Sequence, residues 1–168
     1  MQIDKLTKKD IEQVSRLEAE CFSMPWSAKS FEEILDRSNA LYLVAREKDR
    51  VIGYCGAYVI LDEADINQVA VAPDCRGKGV GRRMLAELLE KLKQAGAEAV
   101  TLEVRKSNAP AIALYESLGF TVEGTRKNFY EKPAEDALIM WKRKAAVAII
   151  TARNITTCSY IMKLISSS

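Results

Sequence analysis

Apolar residues recur along the chain at two different spacings, one typical of strands and one typical of helices. Short runs rich in β-formers predict strands over 2–5, 41–46, 51–60 and 64–71. The stretch 9–21 repeats its apolar residues at the helical period, and Ser23–Ser27 interrupts it. Ser27 is a suitable N-cap for a second short helix that carries Phe31 and Ile34. Polar residues 48–50 predict a hairpin turn.

The second half of the chain alternates helices with strands. The most regular helix is predicted over 79–95, with one apolar face and Gly96 as its stop; that face comprises Val80, Met84, Leu85, Leu88, Leu89 and Leu92. A strand over 99–104, a helix starting at Asn108–Pro110 and two closing strands over 121–127 and 137–142 follow. The order β-α-α-β-β-β-α-β-α-β-β predicts one α/β (α+β) domain, a mixed sheet covered by helices, over residues 1–143. Residues 144–168 fit this scheme poorly and are treated as a C-terminal extension of unknown structure.

Charge and targeting signals narrow the functional class. The 168 residues carry a net charge of +2, and no basic and aromatic residues alternate as a platform, so direct nucleic-acid binding is not expected. The first residues lack an apolar leader, and the most apolar tail stretch, 145–150, is too short to cross a bilayer. We therefore expect a cytoplasmic protein without a membrane segment.

The sequence contains no histidine, which limits the catalytic chemistry. A Ser-His-Asp or Cys-His nucleophile is impossible, so a general base near neutral pH must be a carboxylate, tyrosine, lysine or cysteine. Four scattered cysteines form no C-x-x-C pair, and no histidine can complete a zinc set. We expect no metal.

A glycine-rich loop precedes the most regular helix. Gly77, Gly79 and Gly81 follow the end of a strand, and such glycines let backbone amides approach a ligand closely. The start of the helix adds partial positive charge, which suits a phosphate or pyrophosphate. Arg82 and Arg83 lie in the first turn, where a bound anion would offset their repulsion by the helix dipole. An ordinary glycine turn with solvated arginines is the alternative.

Two motifs carry a family resemblance. The segment Arg76-Gly77-Lys78-Gly79-Val80-Gly81 resembles the [Q/R]-x-x-G-x-[G/A] loop of the GNAT acetyltransferase superfamily. Residues 108–120 resemble its second signature, N-x-x-A-x-x-L-Y-x-x-x-G-F. The resemblance implies the GNAT fold, a mostly antiparallel sheet with helices on both faces and strands splayed at the acetyl-CoA site. The implied acetyl-CoA-binding residues are Val69, Ala70, Val71, Arg76, Gly77, Lys78, Gly79, Val80, Gly81, Arg82 and Asn108.

The resemblance also implies roles for a carboxylate and a phenol. Glu103 lies on the strand face that alternates with Val100, Leu102 and Val104, and corresponds to the family's proton acceptor, acting directly or through water. From the residues alone, a solvated strand carboxylate is favoured, and the family resemblance reverses that preference. Tyr115 stands where the family has its proton donor, although its place on an apolar stripe also fits a core tyrosine. Asn108 either contacts coenzyme A, caps its helix, or does both.

A narrower resemblance concerns the acceptor. Residues 21–27, 126–130 and 135–137 are similar to those of ribosomal-protein-alanine N-acetyltransferases. This implies transfer of an acetyl group to the N-terminal alanine of a small-subunit ribosomal protein by direct attack in a ternary complex. Trp26, Phe129 and Tyr130 are then expected to line the peptide groove. The alternatives are a small amine or lysine acceptor, and a non-catalytic acyl-CoA-binding module.

Overall fold

The computed structural model describes residues 1–144, which form seven strands and four α-helices. The strands are β1 (Gln2–Lys5), β2 (Ala40–Glu47), β3 (Arg50–Ile60), β4 (Glu63–Val71), β5 (Ala99–Arg105), β6 (Thr121–Glu131) and β7 (Ala134–Arg143). The helices are α1 (Ile11–Cys21), α2 (Ala28–Leu35), α3 (Val80–Gln94) and α4 (Ala109–Ser117). The predicted order of elements is confirmed. The predicted extension lies, apart from its first residue, outside the described residues.

All seven strands belong to one sheet, in the order β1-β2-β3-β4-β5-β7-β6. Neighbouring strands are antiparallel except for β4 and β5, which run parallel. This arrangement confirms the predicted mixed, mostly antiparallel sheet. The one parallel pair joins the two halves of the molecule, and α3 provides the crossover between its strands.

Helices cover both faces of the sheet, as predicted. Neighbouring residues of β3 point to opposite faces and identify the covering layer on each. The Tyr54 ring meets Phe31 of α2 edge-on at 5.6 Å between ring centroids, whereas the Cys55 thiol contacts the Met84 carbonyl of α3 at 3.8 Å. The α1/α2 layer therefore lies on one face and the α3 layer on the other. No helix within residues 1–144 is long and apolar enough to cross a membrane.

The closing hairpin is longer than the hydrophobic pattern predicts. β6 reaches Glu131 and β7 begins at Ala134, whereas strands were predicted only over 121–127 and 137–142. Nearly every residue of β6 is exposed, so its backbone pairing with β7 leaves no apolar signature. A strand at the edge of a sheet pairs with only one neighbouring strand and can stay exposed. The pattern of apolar residues therefore does not show how long such a strand is.

Candidate active site

The parallel strands β4 and β5 separate at one end and leave an opening in the sheet. They pair only between 63–66 and 99–102. Beyond that point β4 stays paired with β3 as far as Val71, and β5 stays paired with β7 as far as Arg105. The facing edges of 67–71 and 103–105 therefore have no strand partner in the described part of the chain. This confirms the splayed strands that the family resemblance implies.

Backbone alternation fixes which groups of β4 face this opening. The Ala72 amide donates to the Ile52 carbonyl at 2.9 Å and so points toward β3. Because peptide groups alternate along a strand, Ala70 also faces β3, while the amides of Val69 and Val71 face the opening. The Val71 carbonyl, on the same side, accepts the Arg76 Nε–H at 3.1 Å. Val69 and Val71 thus present amide donors to the opening. Ala70 lies between them, and its backbone groups are directed toward β3.

The glycine loop places further amides beside this edge. Gly77 and Gly79 have φ of 73° and 79°, a conformation that favours glycine, and a Cβ added to either would meet nothing within 4 Å. The first intrahelical hydrogen bond of α3 runs from the Arg83 amide to the Gly79 carbonyl at 3.1 Å. The amides of residues 77–82, including those of Val80 and Gly81, have no backbone partner within residues 1–144. The loop thus offers open space and unpaired donors.

Side chains around the loop fasten it to α4. A Cβ on Gly81 would approach Leu114 Cδ2 to 3.3 Å, so α3 and α4 pack closely at this point. The Arg82 guanidinium donates to the Ser117 hydroxyl at 2.5 Å. Arg82 is therefore held by α4 rather than left free in the first turn of α3. Lys78 and Arg83 remain exposed.

Asn108 caps α4, one of its two predicted roles. Its Oδ1 accepts the Ala111 amide at 3.3 Å, and its side chain is otherwise exposed. Such a bond satisfies one of the amides that a helix start leaves unpaired. Contact between Asn108 and coenzyme A stays a prediction.

Glu103 lies where β5 leaves β4. Its side chain is 21% exposed, and Oε1 is 3.2 Å from the Arg126 guanidinium. Burial raises the pKa of the Glu103 carboxyl, the nearby Asp65 carboxylate raises it further, and Arg126 opposes both effects. A half-buried carboxylate of this kind is a stronger base than one in water. Its catalytic role stays a prediction.

Tyr115 lies on the inner side of α4 and is only 8% exposed. Its ring meets Phe120 edge-on at 6.0 Å between centroids. Burial raises the pKa of the phenol, with smaller contributions from Tyr130 and Cys55. The hydroxyl forms no hydrogen bond with any residue of the described range. Tyr115 is therefore both a core residue and a protonated phenol at neutral pH, so the two interpretations of the sequence are compatible.

The carboxylate and the phenol come from opposite sides of the sheet. Asp65 pairs with Tyr58 on β3 and with Thr101 on β5, which places Thr101 and Glu103 on the α1/α2 face. Tyr115 belongs to α4, which packs with α3 on the other face. A ligand threaded through the opening would therefore meet the Glu103 carboxylate on one side and the Tyr115 phenol on the other.

Three side chains near Glu103 were not predicted to act with it. Asp65 and Arg126 both influence its charge, and the Tyr130 hydroxyl donates to its backbone carbonyl at 3.4 Å. The Tyr130 ring also stacks on the Arg105 guanidinium, with 4.1 Å between Cζ and the ring centroid. Only strand register brings these positions together, and the linear sequence contains no signal for it.

The predicted aromatic groove is divided between two segments. Phe129 and Tyr130 form an edge-on pair at 5.0 Å on β6, whereas Trp26 packs on Phe31 at 5.8 Å between centroids. The segments that carry them touch where the Ser23 hydroxyl donates to the Lys132 carbonyl at 2.7 Å. This contact joins the loop before α2 to the turn between β6 and β7. A role for the aromatic residues in peptide binding stays a prediction.

No group of three or more potential metal ligands occurs within residues 1–144. The site instead combines an unpaired strand edge, unpaired amides at a helix start and a half-buried carboxylate. These features are the ones expected of a transferase that holds a phosphate-bearing acyl donor in extended form beside a carboxylate. The chain belongs to the acetyltransferase (GNAT) family, whose model matches residues 11–120.

Several similar proteins carry more specific names. A [ribosomal protein bS18]-alanine N-acetyltransferase from Salmonella typhimurium is 38% identical over 142 residues, which cover 82% of this chain and 94% of that protein. A Bacillus subtilis protein with a provisional name of the same kind is 41% identical over 133 residues, covering 79% and 88%. The crystal structure of the ribosomal-protein-S18-alanine N-acetyltransferase from Escherichia coli superposes with a TM-score of 0.78 at 35% identity, covering 84% of this chain and 92% of that one.

These similarities confirm the family that the two motifs predict, and with it the fold and the acetyltransferase class. They do not test the individual site residues or the domain boundary at 143, which stay predictions.

Proposed function

We propose that this enzyme transfers the acetyl group of acetyl-CoA to the N-terminal α-amino group of a small-subunit ribosomal protein that begins with alanine. The observation that carries the proposal is the opening between β4 and β5, with Glu103 at its edge. The names of relatives at 36–41% identity support the choice of acceptor. Because that acceptor is a ribosomal protein, the expected place of reaction is the cytoplasm.

The donor side of the opening, formed by the end of β4 and the start of α3, fits an extended, phosphate-bearing thioester. The amides of Val69 and Val71 are available to pair with the pantetheine arm as an added strand would. The unpaired amides at the start of α3 and the open space over Gly77 and Gly79 suit the pyrophosphate. Lys78 adds positive charge there. An amide at the end of β4 is also available to stabilise the oxyanion that forms on the thioester carbonyl.

The acceptor nitrogen attacks the thioester carbonyl carbon directly. A free α-amino group has a pKa of about 7.7–8.0, so a large fraction is protonated at neutral pH. Glu103 takes the proton from this nitrogen, directly or through one water, and the nitrogen lone pair then forms the new C–N bond. The raised pKa of Glu103 suits this task. No acetylated enzyme intermediate is formed, so both substrates are bound together.

Collapse of the tetrahedral intermediate breaks the C–S bond. The leaving sulfur carries the electron pair, and Tyr115 donates a hydrogen bond or proton to it. The nitrogen carries two hydrogens and a positive charge in this intermediate, and it releases its second proton as the C–S bond breaks. A thiol has a pKa of about 8.5, well below that of the buried phenol, so this proton restores any phenolate formed and otherwise passes to the thiolate or to solvent. Tyr115 thus mainly stabilises the developing thiolate.

Two other functions remain distinguishable by experiment. An enzyme of the same family that acts on a small amine or a lysine side chain would use the same donor side but a different acceptor. A non-catalytic acyl-CoA-binding module would bind the donor without turnover. A carboxylate and a phenol on opposite sides of one opening favour catalysis over binding alone.

The test measures CoA release from acetyl-CoA with three separate acceptors. These are a ribosomal peptide that begins with alanine, the same peptide with a blocked N-terminus, and an N-terminally blocked peptide that contains lysine. We expect release only with the free alanine terminus, and fragmentation mass spectrometry should place the acetyl group on the α-nitrogen.

If the N-terminally blocked lysine peptide released CoA as fast as the free alanine peptide, the proposal that the acceptor is an α-amino group would be wrong. Tight binding of acetyl-CoA without release from any of the three would contradict the ribosomal assignment.

A further inference from the structure

One carboxylate next to Glu103 has no partner. Asp65 is half-buried, its Oδ1 is shielded from solvent, and this atom accepts no hydrogen bond from residues 1–144. A buried acceptor that stays unsatisfied costs free energy, so such an atom in a folded protein calls for an explanation.

Asp65 lies on the acceptor side of the opening, which is the α1/α2 face around Glu103 where the acceptor is proposed to bind. It is the third residue of β4 and pairs with Thr101, so Glu103 is the next residue of β5 on the same face. Immediately beyond, the two strands separate. Asp65 therefore lies at the closed end of the opening and Glu103 at its rim, both on the α1/α2 face.

The charges around this pair do not balance. The Arg126 guanidinium is 3.2 Å from Glu103 and also acts on Asp65, where it opposes the effect of burial. The other polar groups that face Asp65 carry no positive charge: they are the phenols of Tyr42 and Tyr58 and the hydroxyl of Thr101, which donates to the Met140 carbonyl. Two carboxylates facing one guanidinium leave a net charge of −1, which matches one incoming ammonium group.

We propose that Asp65 binds the acceptor as its α-ammonium and holds it beside Glu103 until the proton is transferred. This inference rests on the proposed function and adds to it a residue that selects the charged form of the amine. Asp65 attracts the cation and Arg126 limits the charge of the empty site. Glu103 then removes one proton, and the neutral amine moves on to attack the thioester.

This arrangement has a consequence for the pH profile. The Asp65 charge raises the pKa of Glu103, so its removal lowers that pKa. Below this pKa Glu103 is protonated and inactive as a base. In Asp65→Asn the acid limb of kcat should therefore move to lower pH. A role of Asp65 that depends on packing alone, and not on its charge, would not shift it.

The experiment compares Asp65→Asn with Glu63→Gln, which removes the same charge from an exposed position two residues earlier on the same strand. Substrates are acetyl-CoA and the alanine-initiated peptide. We expect Asp65→Asn to raise the peptide KM about tenfold, as loss of a charge-assisted contact would, with the KM of acetyl-CoA unchanged. Glu63→Gln should match the wild type.

Binding is measured separately with a peptide whose terminal alanine is replaced by a propionyl group, which keeps the methyl group but has no ammonium. In the presence of CoA, the wild type should bind the amino peptide about tenfold more tightly than the propionyl peptide. Asp65→Asn should lose this preference. Asp65→Ala, with its unfolding midpoint recorded, repeats the comparison in case the asparagine disturbs the strand.

The outcomes separate the two proposals. If the wild type acetylates the peptide but Asp65→Asn and Asp65→Ala retain the wild-type peptide KM, pH profile and ammonium preference, the role of Asp65 is wrong and the proposed function stands. If the wild type does not acetylate the alanine peptide, the proposed function is wrong, and the role of Asp65, which rests on it, is wrong as well. A raised peptide KM with no loss of ammonium preference would also overturn the assignment.

Discussion

The donor side and the acceptor side of the opening consist of different chemical groups. On the donor side, backbone groups predominate: amides of β4 and of the α3 start, and glycines with positive φ. On the acceptor side, charged side chains predominate, and Glu103, Asp65 and Arg126 come from three different strands. A donor whose phosphates and amides are constant suits fixed backbone groups, whereas recognition of an acceptor depends on side chains.

The largest effect should come from Glu103→Gln, which removes the base from the acceptor side. General-base contributions are typically about 10²–10⁴-fold, and we expect kcat/KM for the peptide to fall within that range. In the wild type, kcat/KM should rise with pH as Glu103 loses its proton, because the ionised carboxylate removes the proton from the bound ammonium group. In the variant, which cannot take this proton, the remaining rate should instead rise with the ionisation of the amine in solution. The measurement is a pH–rate profile from about 5 to 9.

Glu131→Gln, an exposed strand glutamate on β6, is the matched control and should keep the wild-type profile. A Glu103→Gln enzyme with more than half the wild-type rate would remove this residue from the mechanism.

Tyr115→Phe should have the second largest effect. It removes only the hydroxyl, so the edge-on packing with Phe120 stays. We expect kcat to fall by about 10–100-fold, the lower part of the range for acid–base groups, with acetyl-CoA affinity nearly unchanged. Single-turnover rates and calorimetric binding of acetyl-CoA measure the two quantities separately. A weaker affinity at an unchanged rate would show that the hydroxyl serves binding and not the leaving thiolate.

Gly79→Ala tests the donor side. A Cβ at φ 79° strains the backbone by roughly 1–2 kcal/mol, and it also projects into the space assigned to the pyrophosphate. We expect the KM of acetyl-CoA to rise about tenfold, equivalent to about 1.4 kcal/mol, and the peptide KM to stay the same.

Gly96→Ala supplies the control, because Gly96 has φ 96°, equally open surroundings and a place at the far end of α3. It should lose similar stability without any change in KM. Equal KM changes in both variants would mean that strain alone, not the ligand, explains the effect.

The smallest effect should come from Ser23→Ala, which removes the contact between Ser23 and the Lys132 carbonyl. A single hydrogen bond contributes about 0.5–1.5 kcal/mol, and at this exposed site we expect the lower end, a two- to threefold rise in the peptide KM. Ser38→Ala, at an exposed serine between α2 and β2, is the control. If Ser23→Ala leaves the peptide KM unchanged, the loop contact does not shape the acceptor side.

The difference between the donor side and the acceptor side also explains how much of each could be predicted from the sequence. The donor side is encoded locally: residues 69–82 run from the end of a strand, through the glycines, into a helix, so one continuous segment reveals it. Glu103 and Tyr115 were identified through a motif and a family resemblance. The alternation of β5 correctly placed Glu103 on the face opposite Val100 and Leu102.

The acceptor side could not be read in this way. Asp65 precedes Glu103 by 38 positions and Arg126 follows it by 23, and only the parallel register and the β6–β7 hairpin bring them together. Arg82 has a hydroxyl partner on α4 that the sequence does not reveal, while its predicted contact with an anion stays a prediction. Side-chain partners across the sheet depend on register, which hydrophobic periodicity does not specify.

The central claim is that the α-amino group meets the thioester in the opening between β4 and β5. The most direct measurement is a crystal structure with a bisubstrate conjugate, in which an acetyl bridge joins the sulfur of CoA to the alanine nitrogen of the peptide. The account predicts that the pantetheine arm pairs with the amides of Val69 and Val71, with the alanine nitrogen within about 3.2 Å of Glu103 or one water away. A conjugate whose nitrogen lies on the α3 face, out of reach of Glu103 and Asp65, would contradict it.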